Sequence, residues 1–97
     1  MPYIKKTERA KYNYRIEEVV RQLKFCEPDL LKRPGPTNYV VTKIVARALK
    51  PDDGWSYHSL SRAIAVLRDA ATEMERRLMA KREDQVIIDN GDLEDYL

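Results

Sequence analysis

The sequence predicts an all-α fold: a small three-helix domain with a long C-terminal helix and a short acidic tail, assembling into a homo-oligomer. Apolar residues recur every three or four positions through three separate segments, and prolines and glycines fall between those segments. Ninety-seven residues is a one-domain length, and a chain that short buries only about two thirds of the surface its unfolded form would expose. Its core is therefore expected to be thin, which favours burying a second apolar face against another copy. The helical domain is expected over residues 1–82, with helices at about 7–27, 38–50 and 57–82, and a docked acidic tail over 83–97.

The first helix is justified by Tyr12, Ile16, Val19, Val20, Leu23 and Cys26, whose spacing keeps them on one helical face. Thr7 is placed to cap it and Glu8 lies in its first turn, while Pro28 ends it because proline cannot continue the hydrogen-bond ladder. Pro34, Gly35 and Pro36 read as a connector, with Leu30 and Leu31 expected to pack back on the core.

A second helix, capped by Thr37 or Asn38, places Val41, Ile44, Val45, Ala48 and Leu49 on one side. The β-branched run Val40, Val41 and Thr42 would also suit a strand, but Ala46, Ala48 and Leu49 and the lack of a partner strand favour helix. Pro51, Asp52, Asp53 and Gly54 make a turn, since proline fixes φ and glycine accepts positive φ.

From Ser56 or Ser59 onward the third helix carries Leu60, Ala63, Ile64, Leu67, Ala70, Ala71, Met74 and Leu78 in a near-heptad stripe. It is longer than its two partners can cover, and its alanines allow close approach of another helix, so it is the expected subunit interface. Val86, Ile87 and Ile88 in the tail are expected to cover something, because an apolar run left bare is an aggregation liability.

Charge is distributed unevenly. All eighteen Lys and Arg lie in residues 1–82 against ten acids, whereas residues 83–97 hold six acids and no base, giving a body of +8 and a tail of −6. A basic body can recruit phosphates, and an acidic tail can fold back on it or dock on a neighbouring subunit. No stretch approaches the eighteen apolar residues of a membrane span, and residues 1–6 lack the apolar core of a signal peptide, so a cytoplasmic location is expected. The single cysteine, Cys26, has no internal disulfide partner and is read as a small buried hydrophobe.

Catalytic chemistry is not foreseen. One histidine and one cysteine without HExxH or CxxC spacing do not make a transition-metal site, and the carboxylates from Asp89 to Asp95 miss the register of a calcium loop. Helical nucleotide pyrophosphatases hold magnesium with paired acids, but Glu17 and Glu18 have no second ExxD-type pair, and Glu73 is placed for ion pairs with Arg76 and Arg77. His58 has no nucleophile at triad spacing and suits capping or packing. Neither enzymatic activity nor a cofactor or metal is expected.

What stands out is the polar-aromatic inventory of six tyrosines and a tryptophan against one phenylalanine. Tyr12 accompanies Lys5, Lys6 and Arg15, while Trp55, Tyr57, His58 and Arg62 surround the start of the long helix, with Arg76 and Arg77 further along it. Flat rings stack on bases, and Lys and Arg hold phosphates. These ten residues are the expected binding set for a nucleotide-type small molecule, held in pockets between subunits. Two other partners stay open. The basic body could bind nucleic acid, although its bases are spread among acids rather than ranked along one helix, or the long helix could serve as a protein–protein adaptor that inhibits a host factor.

The motifs Asn38-Tyr39-Val40-Val41-Thr42, Trp55-Ser56-Tyr57-His58-Ser59-Leu60 and Ala63-Ile64-Ala65-Val66-Leu67 carry a family resemblance. Glu73 with Arg76-Arg77, Glu83-Asp84 with Asp89-Asn90-Gly91-Asp92, and the opening Met1-Pro2-Tyr3-Ile4 share it. Together they resemble a family of short uncharacterised proteins, a domain of unknown function frequent in bacteriophage and prophage genomes, over most of the chain. The resemblance implies no activity, and a phage setting would mean a host-cell cytoplasm. Where that family has a proline-tyrosine step after the arginine pair, this chain has Ala80-Lys81-Arg82, so the long helix is expected to run on. A looser likeness, of size and composition only, is to the phage anti-CBASS sponges that sequester cyclic-nucleotide immune signals.

Overall fold

A computed structural model describes residues 3–96 and is all-helical, with no strand among the described residues. Its elements are α1 (Ala10–Cys26), α2 (Gly35–Leu49), α3 (Tyr57–Met74) and α4 (Ala80–Asn90). A 3₁₀ turn, Lys6–Glu8, precedes α1, a π turn, Glu75–Met79, lies between α3 and α4, and a 3₁₀ turn, Glu94–Tyr96, follows α4. The chain divides into two units, Tyr3–Ala63 and a second built on residues 64–96.

In the first unit, α1 does not use Thr7 as a cap. Thr7 lies inside the 3₁₀ turn, and Arg9, already in the helical region at φ −68°, ψ −33°, precedes α1 without a side-chain cap. The turn itself prepares the entry: Glu8 N–H donates to the Lys5 carbonyl at 2.9 Å and Arg9 N–H to the Lys6 carbonyl at 3.3 Å. At the other end α1 stops at Cys26, as Pro28 requires, and Glu27 is extended.

Helix α2 begins at Gly35, before either expected cap. Pro34 sits in the helical region and Pro36 occupies the first turn, where a missing N–H costs nothing because the first N–H groups of a helix have no intrahelical acceptor. The segment that reads as a connector therefore opens the helix. Leu30 is half-buried but Leu31 is 95% exposed, so only one of that pair packs back. After α2 the expected turn is present, with Gly54 N–H bonded to the Pro51 carbonyl at 3.1 Å and Gly54 at φ +94°.

Ser56 and Ser59 together open α3 as a capping box, since each backbone N–H donates to the other's hydroxyl oxygen. In the second unit helical turns continue past residue 82 to Asn90. Nothing there breaks them until Gly91, whose φ of +86° and N–H bond to the Ile87 carbonyl at 2.8 Å close the helix. Within the run, Ala80 N–H reaches back five residues to the Glu75 carbonyl, which defines the π turn. Val86, Ile87 and Ile88 are accordingly helical.

The apolar stripes exist at the expected spacing, but they are not a core. Among the described residues Ala63, 7% exposed, is the buried apolar side chain, and no large side chain is fully buried. Ile16 and Val19 on α1, Ile44 on α2, Leu60, Ile64, Leu67 and Met74 on α3, and Ile88 on α4 are all exposed. Cys26 is exposed as well, against its reading as a buried hydrophobe.

Candidate functional site

Each residue of the expected binding set is placed by its own helix. Lys5 and Lys6 lie at the first 3₁₀ turn and are exposed. Tyr12, on the first turn of α1, has the Lys11 ammonium 5.3 Å from its ring centroid. Arg15 stacks on Tyr14 rather than Tyr12, its guanidinium carbon 4.4 Å from the ring centroid, and donates to the Lys11 carbonyl one turn back. Trp55 precedes the α3 capping box and Tyr57 lies within it, at 89% exposure. His58 accepts a hydrogen bond at Nε2 from Arg62 Nε at 3.1 Å. In the second unit Arg76 donates to both carboxylate oxygens of Glu73, at 2.6 and 3.3 Å, and Arg77 lies in the π turn.

These bonds run between neighbours on one helix. They bring His58 to Arg62 and Arg15 to Tyr14, but they do not join the α1 group to the α3 group. Arg76 is moreover paired with Glu73, which is buried at 9% exposure, so its guanidinium neutralises a protein carboxylate.

Helix α2 brings together a set that the sequence reading passed over. Tyr39, Lys43 and Arg47 follow at four-residue intervals, so they share one face and span about 12 Å of helix. The Lys43 ammonium lies 3.2 Å from the Tyr39 hydroxyl and 5.5 Å from its ring centroid. With Asn38, Thr42 and Ala46 these residues line a groove of about 470 Å³, and a further hollow lined by Ala46, Arg47, Lys50, Pro51 and Asp52 extends it past the end of the helix. The chemistry is an exposed ring, two cations, an amide and a hydroxyl, with no carboxylate in the first hollow.

The expectation that bases are spread among acids fails on α2. Residues 30–51 contain Lys32, Arg33, Lys43, Arg47 and Lys50 and no acid at all. That acid-free run was the available signal, and it was masked because the balance of residues 1–82 as a whole mixes both signs.

A second concavity lies in the same unit. Glu18, Val19, Gln22, Leu23 and Cys26 of α1 and Gly35, Pro36, Tyr39 and Val40 of α2 line a cleft of about 590 Å³, mostly apolar and sharing Tyr39 with the basic groove. Its polar members are occupied locally: Gln22 Nε2 donates to Glu18 Oε1 at 3.2 Å, and Arg21 pairs with Glu18 Oε2. The Arg21 guanidinium, and then the Gln22 amide, hold the Glu18 carboxyl below the usual carboxylate range, with burial opposing them weakly.

Among the described residues no group of three His, Cys, Asp or Glu side chains is arranged to hold a metal ion, and no helix is long and apolar enough to cross a membrane. One family model, for a domain of unknown function, matches residues 1–93. No curated protein and no solved structure matches the chain.

Proposed function

The chain belongs to the family described as Domain of unknown function (DUF6899), and we propose that it is a non-enzymatic protein capturing a nucleotide-type small molecule in pockets of a homo-oligomer. The observation that carries this reading is the α2 face, where Tyr39 offers a ring beside Lys43 and Arg47. A base stacks on the ring, the two cations take phosphate oxygens, and Asn38 and Thr42 supply donors and acceptors for a base edge or sugar. The groove's volume falls within the range of small-molecule sites.

All six lining residues belong to one helix, so a molecule in this groove has a wall on one side. Small ligands bind where most of their surface is covered. A neighbouring subunit supplies the other wall in this proposal, and the exposed stripe of Leu60, Ile64, Leu67 and Met74 gives subunits a reason to associate. Lys11 with Tyr12 and Arg15 with Tyr14 are further ring-cation pairs that such an assembly could bring to the same pocket. A cyclic-nucleotide immune signal is a ligand of this chemical class, and a phage setting would give its capture a purpose.

Native mass spectrometry with linear and cyclic nucleotides tests the reading. The expected result is a discrete oligomer that gains the mass of one nucleotide class at a fixed ratio and loses that ability on Lys43→Ala, Arg47→Ala substitution. A folded wild-type protein indifferent to the whole panel would overturn it. The acid-free run of residues 30–51 also favours a second reading, binding of nucleic acid along α2. Retention of duplex or single strand at low salt, without uptake of any mononucleotide, would select that alternative.

A further inference from the structure

The cleft between α1 and α2 and the C-terminal helix complement one another. The cleft exposes Val19, Leu23, Cys26, Pro36 and Val40, and it borders the face of α2 that carries Lys43 and Arg47. Helix α4 exposes Val86, Ile87 and Ile88 amid Glu83, Asp84 and Asp89, with Asp92, Glu94 and Asp95 beyond it. On its α2 side the cleft belongs to the acid-free run of residues 30–51, with its five bases, and on its α1 side the one acid that lines it, Glu18, is already paired with Arg21. The other surface is apolar among acids: past Lys81 and Arg82 in the first turn of α4, residues 83–97 hold six acids and no base.

We propose that this cleft seats α4 of a second copy of the chain, with the adjacent Val86 and Ile87 against Val19, Leu23 and Val40 and the acids directed to Lys43 and Arg47. Two physical terms act together. Apolar contact supplies affinity, at roughly 25 cal/mol per Å² removed from water, and opposite charge fixes which way the helix lies and steers its approach. Among the described residues of the unit built on residues 64–96, the helical run to Asn90 is followed by one further element, the turn Glu94–Tyr96, and an amphipathic helix gains most of its stability from a surface to pack on. Every copy carries both halves of the contact, so exchange between copies satisfies both. The proposal is independent of any ligand. It also gives the acidic segment a regulatory consequence, because acids seated beside Lys43 and Arg47 compete with phosphates for those cations.

Cys26, the single cysteine, lines the cleft and serves as a built-in reporter. Full-length wild-type protein is mixed with chains carrying Cys26→Ser and one of Val86→Cys, Ile87→Cys or Ile88→Cys, then mildly oxidised. A disulfide between the two kinds of chain can only join copies. We expect at least one position to give a mixed dimer, identified by peptide mass as Cys26 linked to position 86, 87 or 88, and formed roughly ten-fold more than with Cys26→Ser, Ala65→Cys. Added salt should reduce its yield. No mixed dimer above that control at any of the three positions, with helicity intact by circular dichroism, would overturn the proposal. So would a link that, in chains retaining Cys26 beside the new cysteine, forms only within single chains, which would assign the cleft to the chain's own α4.

Discussion

Arg76 and Glu73 form a two-pronged ion pair in which the guanidinium, more than half exposed, covers a carboxylate that is almost wholly shielded from water. The arrangement assigns Arg76 a duty inside the helix that competes with phosphate binding. Arg76→Ala leaves a shielded charge without this partner, and the expected cost is about 1–3 kcal/mol of unfolding free energy. Glu73→Gln, which keeps a hydrogen-bond acceptor and removes the charge, should cost less. Chemical denaturation at one fixed protein concentration checks the order, and equal stabilities for Arg76→Ala and wild type would show that the pair contributes nothing.

The α3 capping box gives a second expectation. Ser56 and Ser59 satisfy each other's backbone N–H at 2.9 and 3.1 Å, so removing one hydroxyl strands the other residue's donor. Ser56→Ala should lower stability by about 1 kcal/mol, which for a domain of this length is a fall of roughly 4–8 °C in melting temperature. Ser59→Ala should do the same, and the double variant should cost less than the sum because both hydroxyls serve one motif. Additive losses in thermal melts would show that the serines act separately.

What the sequence made legible followed local rules. The start of α3 at Ser56 or Ser59, the Gly54 turn and the stop before Pro28 each depend on a few adjacent residues, and the structure has all three, with both serines taking part in the first. The start of α2 was hidden because Pro34 and Pro36 suit the first turn of a helix as well as a connector, and the pattern alone does not choose. The apolar stripes were legible as stripes, but periodicity reports which residues share a face and is silent about what covers it. That is why Cys26 and Leu31, at apolar positions, proved exposed. The candidate site was half legible: rings beside cations do occur at Tyr12 and Arg15, yet the Tyr39, Lys43 and Arg47 row needed the α2 register to bring residues four apart onto one face.

Glu18 offers a titration. Its carboxyl is held low first by Arg21 and then by Gln22, so Arg21→Ala should raise its midpoint toward the ordinary carboxylate range, and Gln22→Ala should raise it less. The sign for stability follows from the depressed folded-state value. The pair's contribution is present above the unfolded-state pKa and is lost as pH falls through the lower folded-state one. Because Glu18 is exposed, the effect on unfolding is screened, and the carboxyl carbon shift of Glu18 in an NMR titration is the proper readout. A midpoint unmoved by Arg21→Ala would show that the pair does not persist in solution.

The α2 face is the place where ionic strength discriminates. Lys43 and Arg47 meet phosphates as exposed cations, so binding of any phosphate-bearing ligand should weaken as salt rises. Its dependence on Tyr39, which acts by stacking, should persist. Lys43→Gln should therefore lower affinity and flatten the salt dependence, whereas Tyr39→Ala should lower affinity by an amount worth about 1–3 kcal/mol at every salt concentration. Calorimetric titration of the three proteins with the nucleotide class that native mass spectrometry selects separates the two roles. If Tyr39→Ala binds as wild type does while Lys43→Gln does not, the ring is a spectator and α2 is an electrostatic surface alone, which is the behaviour expected of a nucleic-acid-binding helix. If both lose affinity in the manner stated, ring and cation act on one ligand, as a nucleotide pocket requires.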